Sequence, residues 1–452
     1  MQEIQSTMET LSGLVWGPYM LVLIVGTGVF LTFRLLFWQF RMLPLAFKQV
    51  FGKHPEKKDS GDISQFASLM TALSATIGTG NIAGVATACV LGGPGAVFWM
   101  WMTAFFGMAT KYGEGVLAVK YRVKNEKGEM SGGPMYYIER GLGAKWKWLA
   151  VLFALFGTLA SFGIGSSVQS NTVALAVENS LGISTLTTAI IITIFSALVI
   201  LGGIKSISKA SSIIVPVMAL GYVIGGLIII FNNLELVVPA LKMIFTYAFT
   251  GEAAAGGAIG AAIRYGVARG VFSNEAGMGS APIAAAAAKT DHPARQGLVS
   301  MTGTFIDTIV VCSITGIVLV MGFIMAGQTF GDQTGAVLTI SVFDKLLPGF
   351  GGWVVTFGII FFAYSTILGW SYYGEKCCTY LLGEKSVFIY RLIYIASVFV
   401  GCVVTLDLVW LFADTFNGLM AAPNLIALLL LSGVIAKESK DFIERRKSGE
   451  LY

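Results

Sequence analysis

Two short stretches of this 452-residue chain set polar groups and glycines into otherwise apolar runs. The first reads Thr76-Ile77-Gly78-Thr79-Gly80-Asn81-Ile82-Ala83-Gly84 and the second Phe272-Ser273-Asn274-Glu275-Ala276-Gly277-Met278-Gly279-Ser280-Ala281-Pro282. A helix that unwinds inside an apolar layer frees backbone N–H and C=O groups, which are tolerated only where protein or a polar cavity satisfies them. The N-terminus of a half-helix offers N–H groups and a positive dipole end to a carboxylate. Freed carbonyls, together with hydroxyls, make an oxygen cage for a hard cation such as Na⁺. Glycine suits the break because a ligand can approach its backbone closely. Close packing of helices through small residues is the structural alternative, and the presence of two such breaks favours a binding site over it. Gly78-Thr79-Gly80 is not a dinucleotide fingerprint, since the next glycine, Gly84, comes one residue late and no strand precedes it. No Gly-Lys-Ser/Thr phosphate loop is found either, which argues against ATP-driven chemistry.

Further polar residues interrupt apolar runs, where they are functional suspects by default. Gln169, Ser170, Asn171 and Thr172 follow Gly163 and Gly165. Arg264, Arg269 and Glu275 flank the second break. Thr302, Thr304, Asp307 and Thr308 form one group, Ser365, Thr366, Trp370 and Ser371 another, and Asp407 and Asp414 stand near the last run. For single threonines a helix–helix hydrogen bond suffices as an explanation. Glu275 and Asp307 need a partner: a cation, Arg264 or Arg269, or a proton. The two histidines, His54 and His292, stand in polar loops without ligand-spaced partners, which speaks against a transition-metal site. The five cysteines, Cys89, Cys312, Cys377, Cys378 and Cys402, show no pairing pattern and read as small packing residues. With histidine absent from the apolar runs and no nucleophile–base pair in view, an enzyme is disfavoured.

The elements that must carry these residues follow from composition. Hydrophobic residues are 55% of the chain, charged residues 12%, and mean hydropathy is +0.77. A soluble domain carries about 25% charged residues, so the chain reads as an all-α polytopic membrane protein in contact with lipid. Eleven candidate spans fall near 15–37, 65–91, 95–118, 148–176, 186–204, 211–231, 253–288, 297–325, 352–376, 386–405 and 408–434, each near the ~20 residues a bilayer core requires. If the spans alternate, most of the 30 Lys and Arg residues fall on one side. The positive-inside rule then puts the N-terminus outside and the C-terminus in the cytoplasm of a cell-membrane protein. The two broken spans begin five-span halves of opposite orientation. This is a 5+5 inverted repeat with two discontinuous helices, the pattern of secondary transporters, preceded by one extra span. The expected division is 1–64 (first helix and cytoplasmic loop), 65–235 and 236–434 (the two repeats) and 435–452 (a cytoplasmic tail). The net charge of +5 follows from this topology and implies no nucleic-acid partner.

The stretch Gly92-Gly93-Pro94-Gly95-Ala96-Val97-Phe98-Trp99-Met100-Trp101-Met102-Thr103-Ala104-Phe105-Phe106-Gly107 resembles the signature of the alanine or glycine:cation symporter family, and 76–84 and 272–288 resemble it too. The resemblance implies a leucine-transporter-like fold, alternating access, and cotransport of L-alanine or glycine with Na⁺. By that likeness the substrate carboxylate meets N–H groups near Gly78, Thr79 and Gly80, and its ammonium meets carbonyls near Phe272 and Ser273, with Thr76, Asn81 and Gly277 close by. One Na⁺ would lie between the carbonyls of Ser74 and Ile77 and the hydroxyls of Ser365 and Thr366. A second would use Thr76, Asn81 and Ser273, with Asp307 a candidate fourth ligand. Gln169, Phe272, Met278 and Trp370 are expected to wall an alanine-sized pocket. Proton coupling through Glu275 or Asp307, and an uncoupled facilitator, are the competing readings; oxygen-rich sites that need no titratable group favour Na⁺.

Overall fold

The computed structural model describes residues 2–52, 60–250, 259–404 and 407–451. His54, Lys53, Lys57 and Lys58 lie outside the described residues, as does the side chain of Asp407. The chain opens with α1 (Gln2–Val15), α2 (Pro18–Arg34), the single turn α3 (Trp38–Arg41) and α4 (Leu43–Phe51). Next come α5 (Gln65–Thr76), α6 (Ala83–Gly92), α7 (Ala96–Lys120) and the single turn α8 (Pro134–Tyr137). Helices α9 (Lys147–Ala160) and α10 (Val168–Leu181) are continuous through a π-helical segment at Ser161–Ser167. They are followed by α11 (Thr185–Ile200), α12 (Gly203–Asn232) and α13 (Leu234–Tyr247).

The second half begins with α14 (Ile259–Asn274) and α15 (Ala281–Ala286). Then α16 (Pro293–Thr304) and α17 (Ser313–Met325) run through a second π segment at Phe305–Cys312. The remainder is α18 (Gly335–Leu346), α19 (Gly351–Leu382), α20 (Val387–Val403), α21 (Asp407–Leu430) and α22 (Ser432–Lys447). Among the described residues, β structure is confined to a two-residue hairpin, Val123–Lys124 with Met130–Ser131, and two isolated bridges.

Among the described residues, seven helical stretches are long and apolar enough to cross a membrane: Ser6–Arg34, Ala144–Leu181, Gly203–Asn232, Pro293–Met325, Gly351–Leu382, Glu384–Val403 and Leu411–Leu430. Of the remaining candidate spans, 95–118 falls on α7, which is 25 residues long but less apolar, with Lys111 and Glu114 inside it, and the others fall on shorter or interrupted elements. Two of them are divided into α5/α6 and α14/α15 by the glycine breaks, and α11 has 16 residues.

Helix α7 packs against α14 and α16, α5 against α12 and α19, and α9 against α19 and α21. The buried apolar residues form two main clusters. One is centred on Tyr112, Phe153, Trp370 and Leu425, the other on Val97, Tyr222, Phe343 and Phe362. Many large apolar side chains remain exposed on the outside, among them Val217, Leu220 and Ile224 of α12 and Phe388 and Ile389 of α20. That is the surface a lipid-facing helix requires.

Candidate functional site

Both breaks form where the sequence provides a side chain to replace a helical hydrogen bond. Helix α5 starts on the Ser64 hydroxyl, which accepts from Ala67 N at 3.1 Å, and stops at Thr76. Beyond it, Gly78 N donates to Asn81 Oδ1 at 2.9 Å, and Thr79–Asn81 forms one 3₁₀ turn before α6. An asparagine that captures a nearby backbone N–H competes directly with the helix. At the second break Asn274 Oδ1 accepts from Ala276 N at 2.9 Å. Glu275, Gly277 and Gly279 then take positive φ of 53°, 90° and 83°, a region that side-chain-bearing residues rarely adopt. Glycine at 277 and 279 removes that strain.

The two breaks touch. A Cβ on Gly80 would lie 3.2 Å from Phe272 Cδ1 and 3.3 Å from Ser273 Cα, and a Cβ on Gly78 would lie 2.6 Å from Thr366 Oγ1 and 3.7 Å from Gln169 Oε1. Gln169 Nε2 reaches Thr79 Oγ1 at 3.5 Å and the Ile164 carbonyl at 3.0 Å, while its buried Oε1 has no hydrogen-bond partner. Gly78, Thr79, Gly80, Gln169, Phe272 and Thr366 therefore form one neighbourhood. Trp370 closes another side, its indole donating to Glu275 Oε1 at 3.1 Å and its Cβ lying 2.4 Å from where Gly165 would carry one. Met278 is fully buried in the larger apolar cluster.

The residues expected around two cations segregate as follows. The Ser365 hydroxyl donates to the Ser74 carbonyl at 3.2 Å and to Phe362 O at 2.9 Å, so α5 and α19 meet there. Thr366 Oγ1 bonds Phe362 O at 2.9 Å, and Ile77 caps α5 through Leu73 O. At the other location Asp307 is fully buried. Its Oδ1 accepts from Asn81 Nδ2 at 2.7 Å, and its Oδ2 accepts from the Ser273 hydroxyl at 2.9 Å and from the Thr308 hydroxyl at 2.7 Å. Asn81, Ser273 and Asp307 thus come from three different elements into one cluster. Thr76 stands apart from it: its hydroxyl turns back to Ala72 O and Leu73 O, and it lines a small cavity with Lys111, Asn274 and Gln296.

Three residues that carry this site were not anticipated. Glu114 Oε1 accepts from Gly277 N (3.1 Å), Gly279 N (3.2 Å) and Asn424 Nδ2 (2.6 Å), so one carboxylate ties down the frame of the second break. Asn424 also donates to Gly277 O at 2.8 Å and accepts from the Tyr137 hydroxyl. Lys111, one turn before Glu114 on α7, is buried, and its Nζ has no hydrogen-bond partner. The signal was present as two charges inside the apolar run at 95–118. His292 caps α16 by accepting Ala294 N on Nδ1 and is tied through Nε2 to Asp441 Oδ2 at 3.0 Å. All five cysteines are free and buried.

A profile of the sodium:alanine symporter family matches residues 1–451. The chain belongs to this family. It is therefore a multi-pass membrane transporter of the symporter type, and not an enzyme. Among relatives of this sodium:alanine symporter family member, the sodium/alanine symporter AgcS of Methanococcus maripaludis is 60% identical over 445 residues, covering 98% of each chain. The probable sodium/glutamine symporter GlnT of Bacillus subtilis is 41% identical over 439 residues, covering 97% of this chain and 90% of that one. The fold is similar to that of MhsT, solved in complex with L-phenylalanine, with a TM-score of 0.56 at 15% identity over 84% of this chain and 93% of that one.

Proposed function

We propose that this chain is a sodium-coupled secondary symporter that imports alanine and glycine by alternating access. The observation that carries the reading is the meeting of the two helix breaks beside Asp307. This buried carboxylate accepts from an amide and two hydroxyls and makes no ion pair with a side chain among the described residues. A buried carboxylate is costly without a counter-charge, and a cation held there would supply one. The relatives at 60% and 41% identity are named as sodium symporters, the first of them for alanine, and this supports Na⁺ as the coupling ion and alanine as the substrate.

In this mechanism the substrate carboxylate faces the N–H groups around Gly78, Thr79 and Gly80, where half-helix dipoles favour negative charge, and its ammonium faces the carbonyls at Phe272 and Ser273. Asn81, Ser273 and Asp307 offer oxygens to one Na⁺, with Thr76 needing a rotamer change to join them. Ser74, Ile77, Ser365 and Thr366 offer oxygens to another. Gln169, Phe272, Met278, Trp370 and the chain at Gly277 bound the side-chain pocket. The scaffold is an eleven-span bundle with the N-terminus outside, residues 65–235 and 236–434 as inverted repeats, 1–64 as the leading helix and loop, and 435–452 as a cytoplasmic tail.

Alanine uptake into proteoliposomes tests this, with an inward Na⁺ gradient set against an equal K⁺ gradient and against a pH gradient. Accumulation above equilibrium with Na⁺ alone is expected. Accumulation with the pH gradient alone would move coupling to a proton on Glu275 or Asp307, and simple equilibration in every case would leave a facilitator.

A further inference from the structure

Helix α1 lies outside the two proposed repeats, yet it is fixed firmly in place. A Cβ on Gly418 of α21 would lie 2.2 Å from Val15 Cγ1 and 3.2 Å from Trp16, so α1 sits directly against α21 where only glycine leaves room. The Trp16 indole donates to the Asp414 carbonyl at 3.2 Å. Between α1, α14 and α21 is a cavity of about 160 Å³, with Trp16, Arg264, Arg269, Phe272 and Asp414 in its walls. It is smaller than the ~300–1,000 Å³ of pockets that take drug-sized ligands, which limits its occupant to a few heavy atoms.

The walls are dipolar. Arg264 and Arg269 stand on α14, and neither makes an ion pair among the described residues; their guanidiniums lie over the rings of Tyr265 and Phe272 at 5.6 and 5.5 Å. Asp414 lines the same cavity, and its Oδ1 is enclosed with no hydrogen-bond partner, although a buried carboxylate oxygen ordinarily has one. Guanidinium groups bind a carboxylate with strong, often paired hydrogen bonds, and an unpaired carboxylate oxygen calls for a cationic donor. An α-amino acid zwitterion carries both complements on adjacent atoms. Phe272 joins this cavity to the central site, since its ring also touches the first break at Gly80.

We propose that this cavity is an outer docking site for the amino-acid zwitterion, its carboxylate on Arg264 and Arg269 and its ammonium on Asp414, with α1 as the wall that completes it. This rests on the symport reading for the identity of the ligand and for which side is outside. The amino acid is held here before it passes Phe272 to the helix breaks.

The test is initial-rate alanine uptake by the full-length protein in proteoliposomes. Each lost charge-assisted hydrogen bond should raise KM about tenfold, so Arg264→Gln, Arg269→Gln and Asp414→Asn are expected to raise KM with Vmax little changed, and Arg264→Lys to restore most of the affinity. Arg264 is exposed, so its replacement carries little risk to folding and keeps the test valid if Asp414→Asn fails to assemble. Unchanged KM in both arginine variants overturns the docking site. A fall in Vmax at constant KM also overturns it, by making these residues a latch. Failure of the symport reading would show separately, as wild-type uptake that equilibrates without accumulating. Equilibrating uptake still has a KM, so the comparison of variants stands.

Discussion

Gly78 has no room for a methyl group, because the Cβ position lies 2.6 Å from Thr366 Oγ1 and that hydroxyl is held by Phe362 O at 2.9 Å. Gly78→Ala should therefore lower thermal stability and abolish Na⁺-driven alanine uptake. Adding Thr366→Ala should restore the melting temperature by removing the clashing atom, but not the uptake, if Thr366 also serves the ion. Recovery of both would reduce the site to packing. Asp307 collects three donors on two oxygens, and Asp307→Asn turns an amide N–H₂ toward one of them. The Na⁺ concentration for half-maximal uptake should rise at least about tenfold, the loss of one charge-assisted bond of roughly 1.5–3 kcal/mol. An unchanged Na⁺ titration would place the ion elsewhere. Met278 is fully buried, and apolar pockets separate neighbouring side-chain sizes by only about 1–3 kcal/mol. Met278→Ala should admit valine or leucine as competitors of alanine uptake, and no new competition would remove it from the pocket wall. The glycines, hydroxyls and Asp307 were legible as residues because polar groups in apolar runs are conspicuous. Which of them meet could be read only through the family resemblance, which grouped Asn81 and Ser273 with Asp307 as a candidate, because no local pattern links residues 226 positions apart.

At the scale of elements, α7 governs the second break. Glu114 reaches Gly277 N, Gly279 N and Asn424 through a single oxygen, leaving Oε2 without a partner. Glu114→Gln keeps an acceptor at that position, and Glu114→Ala orphans three buried donors at about 1–3 kcal/mol each before relaxation. The alanine variant should melt well below the glutamine variant, read by thermal denaturation in detergent. Equal melting would show that the break holds its shape without the tie. The π-helical segments were equally hidden. Phe305–Cys312 carries Asp307 and Thr308, and Ser161–Ser167 ends two residues before Gln169. A π turn rotates the following residues against the α-helical frame and is often found at functional sites, but nothing in residue type announces it. The breaks themselves were readable, because glycine pairs with a flanking asparagine tell against a helix locally.

At the scale of the whole molecule, the C-terminal helix is tied back to the bundle. Asp441 accepts from His292 Nε2 at 3.0 Å, Arg445 lies 3.0 Å away, and Lys120 pairs with Glu438 at 2.7 Å. The hydrogen bond from His292 holds the Asp441 carboxyl below the usual carboxylate range, with Arg445 contributing. A depressed carboxyl pKa adds stability that is complete above the unfolded value of about 3.9 and is lost as pH falls through the lower folded value. The docking of α22 should thus persist at pH 5 and loosen below the ordinary carboxylate range. Limited pepsin digestion should show tail release rising at the acid end, and Asp441→Asn should remove that step. Identical acid profiles for the two proteins would assign the docking to the other contacts of α22, Lys120–Glu438, Tyr112–Ser439 and the buried Phe442.

The sequence by itself determined the membrane class, the locations of both breaks and the family, because these depend on local composition and on contiguous motifs. A bilayer penalises polar backbone wherever it is exposed, so apolar run lengths and the glycines that interrupt them are written along the chain. Only the tertiary structure decided that Asp307 closes on Asn81 and Ser273, that Thr76 turns away from them, that Glu114 and Asn424 hold the second break, and that α1 walls a cavity with Arg264, Arg269 and Asp414. Each of these depends on the rotation and approach of helices distant in sequence. Such angles are set by side-chain packing across the bundle, and no periodicity within one helix specifies them.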